Sequence, residues 1–146
     1  MANKYESANL LLRLYELRRE DTMRKARDWF IEFNPTSAQE VIDTIRGENG
    51  SSYRMVVSYW EMAASFVNHD VIDEDMFNDT ILEHIAVFSK IQPYIEELRA
   101  LIGEPNYLSH LERFVMKMPD IENRLAQFRK RMKVIAEANE KQANKK

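Results

Sequence analysis

The stretch Ser52-Tyr53-Arg54-Met55-Val56-Val57-Ser58-Tyr59-Trp60-Glu61-Met62-Ala63-Ala64-Ser65-Phe66-Val67-Asn68 decides the fold. Tyr53, Val56, Val57, Trp60, Ala63, Ala64 and Val67 recur three and four residues apart, the interval at which an α-helix returns to one face. Arg54 and Glu61 are its only charged side chains. A helix with so little to offer water belongs at the centre of the molecule.

Working outward, the strongest helix breakers sit at few places: glycine at 47, 50 and 103, and proline at 35, 93, 105 and 119. Upstream, a segment over about 7–34 carries Leu10, Leu11, Leu14 and Leu17, then Ala26, Trp29, Phe30 and Phe33. The charged run Arg18-Arg19-Glu20-Asp21 between the two sets allows a bend or a solvent-crossing turn. Ser37 followed by Glu40 is a capping box, and the short helix it opens should end at Gly47 in the left-handed conformation. Downstream, Asp73 caps a helix whose first turn holds Glu74 and Asp75, favourable at the positive end of the dipole. Its apolar series runs through Phe77, Ile81, Ile85, Phe88, Ile91, Ile95, Leu98 and Ile102 and predicts one long helix, kinked or broken by Pro93 close to Gln92. After Gly103-Glu104-Pro105 come Leu108, Leu111, Val115 and Met118. Beyond Pro119, with Asp120 as a cap, Ile121, Leu125, Phe128, Met132 and Ile135 mark a final helix of about 20 residues, roughly 30 Å long. No stretch alternates as a strand does. The expectation is an all-α antiparallel bundle of about five to six helices, with a proline-kinked long helix and a long C-terminal helix. It forms a single domain over 1–139 with a disordered polar tail over 140–146.

Composition narrows the function classes. The 146 residues are 45% apolar and 31% charged, the profile of a packed globule. Cysteine is absent, which removes disulfides and thiol chemistry and suits the cytoplasm. The run Leu10-Leu11-Leu12 stops at Arg13, too short for a signal core or a membrane span. A net charge of −3 provides no global field for nucleic acid. Charge is nevertheless uneven: Asp70, Asp73, Glu74, Asp75, Asp79 and Glu83 stand without a basic neighbour, whereas 129–146 is basic.

Catalytic and metal-binding patterns are missing. Helical di-iron sites need Glu three residues before His, but Phe66, Ile81 and Tyr107 precede His69, His84 and His110 at that distance. His69-Asp70 lacks the upstream histidine that a helical metal-dependent phosphohydrolase requires. Asp73, Asp75 and Asp79 are followed by neither the ligand nor the glycine of a calcium loop. There is no nucleophile elbow and no phosphate-cradling glycine loop, so no cofactor, metal or catalytic residue is assigned. A helix-turn-helix over 37–67 would offer DNA only Arg54. Arg129, Lys130, Arg131 and Lys133 form a better basic contact patch.

One carboxylate stands out. Glu61 lies beside Trp60 at the edge of the buried stripe, where an unpaired charge is costly. Arg99, next to Leu98, is its expected partner, with Arg54 as the fallback. The pair either fixes helix register or, with Tyr59 and Trp60, lines a small-ligand pocket.

Three stretches carry a resemblance: Tyr59-Trp60-Glu61-Met62-Ala63, Val71-Ile72-Asp73-Glu74-Asp75-Met76, and Ile91-Gln92-Pro93-Tyr94-Ile95-Glu96-Glu97-Leu98-Arg99. Together they resemble a bacterial family of small helical proteins, domain of unknown function four-seven-six-zero, over roughly residues 10–115. The resemblance implies helices and no established activity. It marks Glu61 and Arg99 as matching positions without giving them chemistry, and it leaves the basic C-terminal extension outside.

Three functions follow as expectations. The first is a non-enzymatic protein-interaction module, a homodimer burying part of the seam of Ile121, Leu125, Phe128, Met132 and Ile135. The alternatives are binding of an acidic surface or nucleic acid through the basic final helix, and a ligand pocket or enzyme at Glu61 and Arg99. No membrane partner is expected.

Overall fold

The computed structural model describes residues 2–145. Among them are nine α-helices and one 3-10 turn, with no strand. The helices are α1 (Lys4–Arg19), α2 (Asp21–Glu32), α3 (Ala38–Arg46), α4 (Gly50–Asn68), α5 (Glu74–Thr80), α6 (Glu83–Ile91), α7 (Ile95–Ile102), α8 (Ser109–Met116) and α9 (Ile121–Asn144), and the 3-10 turn is Gln92–Tyr94.

The chain is all-helical as the spacing predicts, but the helices outnumber the five to six expected. The physical reason is that several breaks use neither glycine nor proline. Between α1 and α2, Glu20 takes an extended backbone, and its carboxylate accepts from the Met23 N–H at 3.0 Å, so one residue ends a helix and caps the next. The long helix expected from Asp73 to Ile102 is three helices. Ile81 is extended (φ −127°, ψ 128°) and separates α5 from α6, and Gln92–Tyr94, containing Pro93, joins α6 to α7.

The caps divide in the same way. Ser37 Oγ accepts from the Glu40 N–H at 3.1 Å, and Asp73 Oδ1 from the Met76 N–H at 2.8 Å, as capping residues should. Glu40 reaches the Thr36 N–H and hydroxyl rather than Ser37. Gly47 is not left-handed (φ −94°); Gly103 is (φ 78°). Asp120 does not cap α9: it is itself left-handed (φ 54°), and its carboxylate accepts from the Asn123 side chain.

Helix α4 is the centre. Its stripe from Tyr53 to Val67 is buried, with Trp60 fully enclosed, and α2, α3 and α8 pack against it. Its start passes so close to the end of α3 that a Cβ on Gly50 would lie 2.2 Å from the Ile45 carbonyl oxygen. Only glycine fits there. Leu98 and Val56 are buried as expected, while Leu17, read as core, is 45% exposed. Helix α9 lies on α6 and α2, buries Ile121, Leu125 and Ala136, and continues through Asn144 with residues 137–145 exposed. Much of the seam expected to meet a second copy is therefore covered within the chain. Among the described residues, no helix is long and apolar enough to cross a membrane.

Candidate functional site

Glu61 and Arg99 do not pair. Helix α8 opens on Leu108, whose left-handed backbone (φ 58°) and apolar side chain leave the first N–H groups without a local cap. Glu61 supplies it from α4, accepting from Leu111 N–H at 2.7 Å and His110 N–H at 3.3 Å. A carboxylate at the positive end of a helix is well satisfied without a salt bridge. Arg99 grips the same helix from α7: its Nε donates to the Tyr107 carbonyl at 2.9 Å and its Nη2 to Glu112 at 3.1 Å. Both residues thus position α8, joined by Asn68, which donates to the His110 carbonyl at 3.0 Å. The fallback pairing fails too, because Arg54 donates to the Ile45 carbonyl at 3.1 Å.

Trp60 belongs to a different cluster, which sequence spacing does not reveal. Its indole N–H donates to Glu83 at 3.2 Å, and Glu83 also takes Arg27 in a two-pronged contact, the shortest arm 2.7 Å. A further Arg27 nitrogen donates to the Arg18 carbonyl at 3.1 Å, and the Arg18 guanidinium sits 5.5 Å from the Trp60 ring. Tyr59 donates to the Leu14 carbonyl, and burial pushes its hydroxyl up to about 12. These residues tie α1, α2, α4 and α6 together. Positions 27 and 83 are too far apart in sequence for any local pattern to join them.

Beside Trp60 lies His84, 1% exposed and boxed by Trp60, Phe77 and Phe114, with its ring stacked on Phe114 at 5.1 Å. Neither ring nitrogen has a hydrogen-bond partner. Burial, helped by the Arg124 guanidinium, pulls the imidazole down to about 3, so it is neutral at physiological pH.

Another buried ionisable group is Lys90, 3% exposed. Its Nζ donates to the Phe30 carbonyl at 2.6 Å and the Ile31 carbonyl at 3.0 Å, both in the last turn of α2, where a cation is favoured. Burial lowers the amine to about 8, with Glu32 opposing the shift.

The basic patch is partly committed. Arg129 donates to the Ser89 carbonyl at 3.0 Å and reaches Gln92, and Arg131 lies 5.1 Å from the Phe128 ring; Lys130 and Lys133 are exposed. Near Lys133 an open cleft of about 640 Å³ is walled by Trp29 and Phe33, stacked at 5.0 Å, and by Glu32, Glu40, Asp43 and Glu137. Among the described residues, no group of three or more His, Asp or Glu is arranged to hold a metal ion.

Helix α1 carries apolar side chains on both faces, the outer ones among exposed Lys4, Glu6, Arg13, Glu16 and Arg19. Leu10, Leu11 and Leu14 pack inward. Tyr5, Leu12 and Tyr15 lie on the outer face, 85%, 62% and 54% exposed.

The family model described as a domain of unknown function (DUF4760) matches residues 5–118. The chain belongs to this family. The DUF4760 match takes in α1 to α8 with the Glu61, Arg99 and Glu83 contacts, and it leaves out α9 with its basic residues. No curated protein and no solved structure matches the chain.

Proposed function

We propose that this DUF4760 protein is a non-enzymatic helical interaction module that pairs with a second copy of itself through the outer face of α1. The observation that carries the reading is the two-sided apolarity of that helix. Large apolar side chains grouped on the water-facing side of a helix, here among Lys4, Glu16 and Arg19, mark a contact site. Helices α2 and α5 serve as the inner partners, while Tyr5, Leu12 and Tyr15 are left to water.

The face suits its own copy. In an antiparallel pair with residue 5 opposite residue 15, Leu12 falls opposite Ala8, large against small, and Lys4 falls opposite Glu16, cation against anion. The sixteen residues of α1 span about 24 Å. A strip of that length is smaller than the roughly 800 Å² per partner of a standard interface, which puts the dimer in the weak, transient class.

The reading extends to the rest of the chain. The helices form an antiparallel bundle in which Pro93, lacking an N–H, bends the α6 to α7 rod. The chain acts as one domain over 1–139 with a polar tail, in a cytoplasm that its lack of cysteine suits.

Sedimentation velocity tests the pairing. The wild-type coefficient should rise with concentration up to about 1 mM, as mass action requires, while Leu12→Glu sediments as a monomer with an unchanged circular dichroism spectrum. A wild-type protein that stays monomeric throughout removes the reading.

A further inference from the structure

Two cavities share Lys90 as a wall. The larger, about 300 Å³, lies between α2, α6 and α9 and is lined by Phe30, Val56, Val87, Phe128, Met132 and Ile135 among others. Its charged lining besides Lys90 is Arg27 and Glu83, which are paired with each other. The smaller, about 40 Å³, brings together Lys90, Arg129 and Lys133 with the Tyr94 side chain, and no carboxylate lines it.

The cations around the small cavity are not fully used. Two of the three Lys90 ammonium protons go to the Phe30 and Ile31 carbonyls, leaving one donor. Lys133 makes no hydrogen bond or ion pair among the described residues, and Arg129 uses a single nitrogen. Three positive groups around a cavity whose own lining holds no carboxylate, with Glu32 acting on Lys90 from outside it, stand beside an apolar chamber and fit an amphipathic anion. The chamber has space for about ten groups the size of a water molecule, and the small cavity for about one carboxylate. We infer that these two adjacent cavities, which share Lys90 in their walls, together bind a free single-chain carboxylate of medium length, its alkyl chain between α6 and α9 and its headgroup at Lys90, Arg129 and Lys133. The site is independent of the α1 pairing.

Calorimetric titration of the full chain with decanoate, and separately with decanol, tests the inference. Decanoate binds saturably, and decanol, with the same chain and no charge, binds roughly ten- to a hundredfold more weakly, the worth of a charge-assisted hydrogen bond. Ala86→Phe, which fills the chamber from its wall, abolishes decanoate binding, and Lys133→Gln weakens it several-fold. Lys133 is exposed, so that variant keeps the test alive if Ala86→Phe fails to fold. Absence of saturable binding, equal affinity for decanol, or undiminished binding by a folded Ala86→Phe overturns the inference. So does adsorption to phosphatidylglycerol vesicles without decanoate binding, which would move the anion from a free chain into a bilayer.

Discussion

Replacing His84 with phenylalanine should make the fold resistant to mild acid. The imidazole is enclosed by Trp60, Phe77 and Phe114, and its folded-state pKa is depressed to about 3 from an ordinary 6.5. A depressed pKa means the unfolded chain takes up the proton first. The stability this group provides is therefore complete above 6.5 and is lost progressively as pH falls toward 3. At 1.36 kcal/mol per unit, wild type should lose about 2 kcal/mol between pH 7 and pH 5 from this residue alone. With a urea dependence of about 2 kcal/mol per molar, the unfolding midpoint followed by circular dichroism should fall by about 1 M over that interval. His84→Phe keeps the ring shape and removes two buried nitrogens that have no partner. It should be at least as stable as wild type at pH 7 and nearly flat down to pH 5. Parallel pH profiles for the two proteins would refute the reasoning.

Three further outcomes follow from the packing. Glu61→Ala, which strips α8 of its cap, should cost about 1–2 kcal/mol and speed hydrogen exchange at the His110 and Leu111 amides, with Glu61→Gln falling between it and wild type. Gly50→Ala forces a Cβ against the Ile45 carbonyl and should lower stability by about 1–3 kcal/mol in thermal or urea unfolding. Lys90 is a cation whose folded pKa is lowered to about 8 from 10.5, so its burial penalty is complete below 8 and is relieved as pH rises toward 10.5. Wild-type stability should gain about 2 kcal/mol from this group between pH 8 and 10, a gain absent in Lys90→Met.

Helix α4 and its burial were legible because one stripe of seven residues answers a single question, which face turns inward. Ser37 and Asp73 were legible because capping is local. The break at Ile81 was not, since an extended isoleucine continues the apolar series without a mark. Glu61 is a carboxylate beside a core, and such a group must be satisfied. Its partner turned out to be the bare start of another helix, and spacing within α4 carries no information about what docks there. Arg27 and Glu83 illustrate the same limit, each reading alone as a solvated charge. Leu17 read as core because α1 is apolar on more than one side, and that two-sidedness is the feature on which the proposed function stands.

The chain has no cysteine, so single substitutions can report which positions of α1 meet. Disulfide formation is measured for Ala8→Cys alone, Leu12→Cys alone, and an equal mixture of the two. Antiparallel pairing predicts that the mixture cross-links fastest, because residue 8 of one copy faces residue 12 of the other. Equal, slow cross-linking in all three samples, or faster self-linking of either variant alone, would contradict it.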